Sequence, residues 1–412
     1  MHMKNFTRKV LSFAFLLCWG LVLLTGCTKI VETDQIPQIF TDTKYLVSAT
    51  LVADISAENL TNRYGGEYLP LDNELEAIQG LPGIKVYKLV YKTKDADGND
   101  ITASGAFLYP INTSGAKPLL SYQHGTITTE AGAPSSYGTS ADSFIGGTFL
   151  ASLGYVVSMP DYLGYGENAA ADHPYEHRAT LASASLDMLR ASKEFSAKQN
   201  IELNNQLFLT GYSEGGSATT ALHQLIESSA SSEFTITAST PAAGAYDKIT
   251  FAKNITVKDK PMLNIKNYSW VILTYNKLYG LNRPLTYYFN EPYATNIANQ
   301  PEGEGITIDI EQNPTKLFTA EFRNGLLNDT DTEFLNALRD NSTFDWKPNA
   351  PLRLIHGTAD EFVLFVNSQS AFDKMTANGA TNVTLFPING TGHFESVPAY
   401  VIEVSKYFDT FR

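Results

Sequence analysis

The 412-residue sequence predicts an α/β protein in which a mostly parallel sheet is covered by helices on both faces. Three observations predict this class. Two strand-like segments joined by a tight turn are followed by a regular alternation of strand-like and helix-like segments. The alternation is interrupted once, by a long segment rich in aromatic residues. The hexapeptide G-Y-S-E-G-G at 211–216 lies between a strand-like and a helix-like segment.

The first elements of the predicted domain precede the alternation. Residues 45–60 are predicted to form a helix, since apolar residues recur on one helical face between Leu46 and Ala53. Residues 84–91 and 101–109 are strand-like. The sequence K-D-A-D-G-N between them favours a tight turn, so this pair is predicted to form an antiparallel hairpin.

Strand-like and helix-like segments alternate after this hairpin. The predicted strands are 118–122, 155–159, 206–210, 235–239, 352–355 and 383–386, and the predicted helices are 143–153, 178–196, 217–228 and 365–378. Such alternation favours parallel strands connected by helices that cover both faces of the sheet.

The segment 241–350 lacks this rhythm and contains many aromatic residues. It divides the predicted core into a first part, 45–240, and a second part, 351–412. We expect the segment to form a cap over the carboxyl edge of the sheet. Its rings either form a small core of their own or face a pocket beneath the cap.

The N-terminus has the pattern of an export signal. A basic segment precedes the apolar residues 10–24, and the sequence L-T-G-C ends at Cys27. This ending resembles the bacterial lipoprotein box, which implies a signal peptide at 1–26, cleavage before Cys27 and lipidation of that cysteine. A tether at 27–44 would follow. The alternative is an uncleaved membrane anchor, although the apolar segment is short for a span of about 20 residues.

Composition excludes several classes of function. The net charge is −13 and no basic cluster with interleaved aromatic residues is present, so nucleic acid is not an expected partner. The two cysteines, Cys18 and Cys27, belong to the signal and the lipidation site. A mature chain would therefore have no thiol for a disulfide, a metal site or a cysteine nucleophile.

The hexapeptide 211–216 is typical of a nucleophile elbow because it joins a strand to a helix. Ser213 would be the nucleophile, held in a strained conformation with its Oγ exposed. Gly211 and Gly215 are expected where side chains would collide with neighbouring backbone.

A serine nucleophile needs a general base, and six histidines follow Cys27. His393 is the candidate because it follows the last predicted strand on a glycine-rich loop; a solvated surface histidine is the alternative. The other five have different expected roles: His223 lies too far along a helix, His356 closes a strand, His173 and His177 suit loop packing or a metal pair, and His124 lies in a separate motif.

The carboxylate partner of the base is predicted to be Asp360, which follows a strand and a tight loop. Glu361 is the competing carboxylate. Ser213, Asp360 and His393 each come just after the carboxyl end of a predicted strand, where ligands bind in open α/β sheets. We therefore expect the three side chains to converge.

Two backbone N–H groups are predicted to form an oxyanion hole. One belongs to Glu214, which follows the nucleophile. The other belongs to Thr126, in the loop S-Y-Q-H-G-T after the strand 118–122. The alternative for this loop is a plain turn between strand and helix.

Together these motifs resemble the α/β-hydrolase fold with its triad in the order serine, aspartate, histidine. The resemblance covers 84–240 and 350–412, and the aromatic insertion lies where members of the fold carry a cap. The sequence M-P-D-Y-L-G-Y-G at 159–166, with H-P-Y at 173–175, further resembles the secreted lipases, which implies hydrolysis of carboxylic esters. Asp161 is expected to stabilise its own loop.

The sequence thus predicts a serine esterase or lipase that forms an acyl-enzyme, requires no cofactor and no metal, and acts on a small-molecule or polysaccharide-linked ester. A serine aminopeptidase on the same fold and a non-catalytic ligand-binding lipoprotein are the alternatives. The lipoprotein resemblance implies export to the cell envelope. Thr28 after Cys27 resembles the pattern for outer-membrane sorting in Gram-negative bacteria. The N-terminal lipid would be the only membrane contact. The acyl specificity and the oligomeric state stay open.

Overall fold

The structure, a computed structural model, describes residues 36–64, 81–301 and 303–412. The predicted signal peptide, the lipidation site Cys27 and most of the predicted tether lie outside these ranges. Within them, no helix is both long enough and apolar enough to cross a membrane.

One ten-stranded sheet runs through the described part of the chain. Its strands are β1 Gln38–Ile39, β2 Leu46–Ile55, β3 Gly83–Lys94, β4 Asp100–Ile111, β5 Lys117–Gln123, β6 Val156–Pro160, β7 Leu203–Tyr212, β8 Ile236–Ala242, β9 Leu352–Gly357 and β10 Val383–Ile388. Their spatial order is β1-β2-β3-β4-β6-β5-β7-β8-β9-β10. The pairs from β1 to β4, and β4 with β6, are antiparallel, whereas every pair from β6 to β10 is parallel. The predicted hairpin and the mostly parallel sheet are confirmed.

Helices pack on both faces of this sheet. They are α1 Ala57–Tyr64, α2 Thr148–Ser152, α3 Arg178–Lys198, α4 Glu214–Ser229, α5 Lys248–Thr256, α6 Ile265–Leu278, α7 Leu285–Tyr288, α8 Tyr293–Ala298, α9 Pro314–Leu317, α10 Ala320–Leu327, α11 Thr332–Asp340, α12 Val366–Ala377 and α13 Val397–Asp409. Helices α1, α2 and α13 cover one apolar face, and α3 and α4 cover the other. The predicted helix at 143–153 is a π-helical turn, Ser143–Gly147, followed by α2.

The helix predicted at 45–60 is wrong, because this segment forms β2 and then α1. The strand pairs with β3 through irregular register, with shifts between Leu46 and Ser48 and between Leu51 and Ala53. These shifts change which side chains face the core. As a result Leu46, Ala49 and Ala53 are buried at spacings of three and four, a period that imitates a helix.

The segment 27–44 is not a tether along its whole length. Gln38 and Ile39 form β1, which pairs with β2 at the edge of the sheet. The ring of Phe40 packs edge-on against that of Phe195 on α3, with centroids 6.3 Å apart. The ordered domain therefore begins before residue 45.

Seven helices, α5 to α11, lie between β8 and β9 in the described part of the predicted cap. Their buried faces form one apolar cluster, which includes Tyr275, Tyr288, Phe318 and Phe322. Phe318 and Phe322 also line the cleft that contains Ser213. Rings of this segment thus serve both as its core and as a wall of the cleft.

Candidate active site

The predicted site residues lie in loops at the carboxyl ends of β7, β9 and β10. Because these strands are parallel, their ends lie at one edge of the sheet. Ser213 directly follows β7, Asp360 follows β9 after two residues of turn, and His393 follows β10. The sheet therefore brings three segments that are distant in sequence together at one of its edges.

The turn at Ser213 is tight and strained. Ser213 has φ +61° and ψ −123°, a combination that non-glycine residues rarely adopt. A Cβ at Gly211 would lie 2.3 Å from the carbonyl oxygen of Gly215, and a Cβ at Gly215 would lie 2.0 Å from that of Gln123. Neither position has room for a side chain. Glycine at both positions lets the backbone turn directly from β7 into α4.

The structure brings Ser213, His393 and Asp360 into one hydrogen-bonded chain. His393 Nε2 lies 3.0 Å from Ser213 Oγ, and His393 Nδ1 lies 2.6 Å from Asp360 Oδ2. The Tyr212 hydroxyl donates to the His393 carbonyl at 2.6 Å, and the Phe362 ring stacks on the imidazole with centroids 5.3 Å apart. These contacts fix the imidazole between the hydroxyl and the carboxylate.

Asp360 is held by four donors. Its Oδ1 accepts from the backbone N–H groups of Phe362 and Val363 at 2.8 and 2.9 Å. Its Oδ2 faces His393 Nδ1 and also His356 Nε2, the latter at 3.2 Å. Burial by itself raises the pKa of this carboxyl, but the hydrogen bonds from His356 and His393 outweigh it and lower the pKa to about 2. Asp360 is therefore ionised at neutral pH.

Glu361, the alternative carboxylate, and His356 also lie near the triad in sequence and have contacts of their own. Glu361 is exposed and pairs with Lys260 Nζ at 2.8 Å, so it does not contact His393. His356, which closes a strand and was expected to have a backbone or loop role, contacts Asp360 with its ring, and its Nδ1 lies 2.7 Å from Ser368 Oγ. The spacing of four residues between His356 and Asp360 was the available signal for this contact.

The loop after β5 lies beside the nucleophile. Strands β5 and β7 pair with Gln123 opposite Gly211, so the loops that follow them start side by side. A Cβ at Gly125 would lie 3.7 Å from Ser213 Cβ. Within the described residues, the backbone N–H groups of Thr126 and Glu214 donate to no other protein group. Two N–H donors are thus free to serve an incoming oxygen.

The side chains of Thr126 and Glu214 both make hydrogen bonds. The Thr126 hydroxyl lies 2.9 Å from that of Tyr175. The Glu214 carboxylate is buried and accepts from His173 Nε2 at 2.9 Å. Sequence reasoning used Glu214 only for its backbone and did not connect it with His173.

His223 and His177 make structural contacts away from Ser213. His223 contacts Ser239 and Glu227 at the far side of α4, and His177 Nδ1 lies 3.1 Å from Thr180 Oγ1. Among the residues that the structure describes, no group of three His, Cys, Asp or Glu side chains is arranged to hold a metal ion. Asp161, expected to stabilise its loop, accepts from the Ser104 hydroxyl at 2.6 Å and from a backbone N–H at 2.7 Å.

Ser213 lies in the wall of a cleft beneath the helices that follow β8. The cleft encloses about 810 Å³ of empty space, counting its open mouth. Most of its lining is apolar and comes from α5, α6, α10 and the segment just before α10; it includes Phe251, Ile255, Ile272, Phe318, Phe322 and Leu326. The charged side chains in the wall are Glu176 and Lys248, which are buried and pair with one another.

Comparisons with known proteins agree with this architecture. The family model for secretory lipases matches residues 135–253. No curated protein matches the chain. Two solved structures share 25% identity with it at a TM-score of 0.79 and cover 89% of it: a protein from Legionella pneumophila assigned as a hydrolase, matched over 98% of its length, and the rice cell wall degrading esterase LipA from Xanthomonas oryzae, matched over 99%.

A third structure, Candida antarctica lipase A, shares the fold at 18% identity, with a TM-score of 0.60, over 80% of this chain and 78% of its own. These similarities confirm the predicted α/β-hydrolase fold and the resemblance to secreted lipases and esterases. They support hydrolysis of carboxylic esters as the activity.

Proposed function

We propose that this protein is a serine carboxylic-ester hydrolase that acts through Ser213, His393 and Asp360. The observation that carries the proposal is the continuous chain of hydrogen bonds from Ser213 Oγ through both nitrogens of His393 to Asp360. Such a chain, next to two free N–H donors and an apolar cleft, supplies the nucleophile, the base and the site for the developing oxyanion.

The reaction follows from this geometry. His393 Nε2 takes the proton of Ser213 Oγ as the oxygen attacks the ester carbonyl, and the carbonyl oxygen becomes an oxyanion held by the N–H groups of Thr126 and Glu214. His393 then gives its proton to the leaving alcohol, and an acyl-enzyme forms. Water, activated by the same imidazole, releases the acid. Asp360 stabilises the imidazolium, since its low pKa keeps it charged throughout.

The cleft indicates which part of the ester it binds. Its lining is mostly apolar and includes Ser213, so an acyl chain attached to the serine would extend along apolar side chains of the cap. The ammonium group of a peptide N-terminus would need an unpaired carboxylate there. Glu176 already pairs with the Lys248 ammonium, so the lining favours an ester substrate over an aminopeptidase substrate.

Narrowing the cleft is expected to change acyl-chain selectivity. Ala252 lies on α5 and lines the cleft. We expect Ala252→Trp to lower kcat/KM for p-nitrophenyl palmitate at least about tenfold, because loss of room for several methylene groups costs more than 1.4 kcal/mol. Turnover of the acetyl ester, which does not reach along the cleft, should change less than about threefold. Equal losses on both esters would contradict this assignment of the cleft.

The experiment that tests the activity is a panel of p-nitrophenyl esters from acetyl to palmitoyl, with methyl ferulate and an aminoacyl anilide. We expect turnover of esters and none of the anilide. Turnover of the anilide alone would favour the aminopeptidase. A folded protein with no turnover and no labelling by a fluorophosphonate would favour the non-catalytic binding protein.

We also propose that the protein is an exported lipoprotein of the cell envelope, in the outer membrane of a Gram-negative bacterium. The L-T-G-C sequence and the similarity to secretory lipases support this proposal. Cells given labelled palmitate should incorporate the label into the wild-type chain, and Cys27→Ser should abolish incorporation. Label retained by Cys27→Ser would contradict lipidation at this position.

A further inference from the structure

The residue after the nucleophile is held by a buried hydrogen bond that the proposed reaction does not use. The carboxylate of Glu214 and the imidazole of His173 are both 1% exposed, with Oε1 and Nε2 2.9 Å apart. Glu214 is the first residue of α4, and its backbone N–H is one of the two proposed oxyanion donors. The following inference rests on that proposed function.

Both ring nitrogens of His173 make hydrogen bonds. Its Nδ1 lies 2.7 Å from the carbonyl oxygen of Leu163, an atom that can only accept, so Nδ1 carries a proton. Its Nε2 faces the carboxylate of Glu214. Burial alone would lower the pKa of His173, but the charge of Glu214 and these two hydrogen bonds raise it above the ordinary value. One proton therefore lies between His173 Nε2 and Glu214 Oε1, and this hydrogen bond joins the two side chains.

His173 is itself held firmly from two sides. On the core side, its ring packs on that of Tyr165, with centroids 5.0 Å apart. A Cβ at Gly164 would lie 2.5 Å from the His173 backbone, so the two loop segments are in close contact. On the cap side, the ring of Trp270 meets the imidazole edge-on, with centroids 5.6 Å apart. The Glu304 carboxylate accepts a hydrogen bond from the backbone N–H of His173 at 3.1 Å.

Glu214 has no comparable second partner among the described residues. Besides His173, its carboxylate receives only the backbone N–H of Glu176, at 3.5 Å. Lys248, which contacts Glu176, is paired with that carboxylate. Without His173, the buried Glu214 carboxyl group would lose the hydrogen bond that holds its side chain, and an unsatisfied buried polar group is costly.

We propose that His173 is a positioning residue for the oxyanion hole. By holding the Glu214 side chain, it orients the Glu214 N–H toward the place where the oxyanion forms, and through Trp270 and Glu304 it ties this orientation to the cap. His173 does not touch the substrate. Replacing His173 is therefore expected to weaken binding of the oxyanion by the enzyme without weakening binding of the uncharged substrate.

Two inhibitors separate these effects in the purified full chain. An alkyl trifluoromethyl ketone forms a bond between Ser213 Oγ and its carbonyl carbon; the serine proton passes to His393, and the ketone oxygen becomes an oxyanion. The corresponding secondary alcohol has the same alkyl chain but cannot form this adduct. The inhibition constants of both compounds, together with kcat and KM for p-nitrophenyl acetate, are measured for each variant.

We expect His173→Phe to lower kcat about 100-fold and to weaken the trifluoromethyl ketone by a similar factor, since one oxyanion donor is worth about 10² to 10³ in rate. KM and the affinity for the alcohol should change less than about threefold. Glu214→Gln should lose less kcat than His173→Phe, because its amide can still hydrogen-bond Nε2 while Nδ1 donates to Leu163. If His173→Phe does not fold, His173→Leu, which also cannot hydrogen-bond Glu214, takes its place in the same comparison.

The matched control is His177→Phe, four residues away in the same loop and without contact to Glu214. It should leave kcat and both inhibition constants unchanged. The proposal is overturned if a folded His173 variant keeps its kcat within threefold, or if it loses affinity for ketone and alcohol alike. A wild-type protein that neither hydrolyses esters nor binds the ketone would instead overturn the proposed function itself.

Discussion

Replacing Ser213 by alanine is expected to lower kcat for p-nitrophenyl esters by at least about 10⁴-fold, because no other hydroxyl lies at the end of the His393–Asp360 chain in the described structure. The variant should fold, since alanine removes one hydroxyl and leaves the backbone of the elbow unchanged. Substrate binding should change little, because the cleft lining is otherwise intact.

Two measurements make this prediction specific. A fluorophosphonate should label the wild-type chain and not Ser213→Ala. Ser229→Ala, at the other end of α4, should keep both labelling and turnover, since Ser229 is exposed and its hydroxyl donates to the carbonyl of Leu225 within the same helix. If Ser213→Ala is folded and still turns over esters at a tenth or more of the wild-type rate, the nucleophile lies elsewhere.

Local sequence signals predict most strands of the sheet well and its first two strands poorly. Strands β5 to β10 carry apolar runs bounded by turn residues, and their predicted bounds lie within about three residues of the observed ones. Strand β2 is different, because its bulges place Leu46, Ala49 and Ala53 inside at a helical spacing. Periodicity alone cannot distinguish a bulged strand from a helix.

The candidate site, too, could be predicted in part from the sequence. Ser213, Asp360 and His393 follow strands, and parallel strands bring their carboxyl ends together, so convergence could be predicted. The contact of His173 with Glu214, 41 residues apart in sequence, depends on loop conformations that no short-range pattern encodes. The cleft is lined by helices of the segment between β8 and β9, whose arrangement follows from contacts distant in sequence.

Asp360→Asn is the prediction that tests how the triad is oriented. Oδ1 of Asp360 accepts from two backbone N–H groups, so the asparagine oxygen must occupy that place and its NH₂ group must face His393 Nδ1. Nδ1 then becomes an acceptor, and the proton of the neutral imidazole moves to Nε2. In that tautomer His393 cannot accept the Ser213 proton, and we expect kcat to fall about 10⁴-fold at neutral pH.

The neighbouring carboxylate provides the control. Glu361→Gln removes an exposed charge that pairs with Lys260, and we expect kcat to change less than twofold. Equal losses in Asp360→Asn and Glu361→Gln would contradict the assignment of Asp360. So would full activity of a folded Asp360→Asn variant.

Acid unfolding gives an independent readout of the same carboxylate. The pKa of Asp360 is lowered from 3.8 to about 2 in the folded protein, so its ionised form stabilises the fold above pH 4, and this stabilisation is lost as the pH falls toward 2. The shift corresponds to about 2 kcal/mol. The difference in unfolding free energy between wild type and Asp360→Asn should therefore shrink by about this amount between pH 5 and pH 2. A difference that stays constant over this range would show that the carboxylate of Asp360 is not held by His393 and His356 as the structure describes.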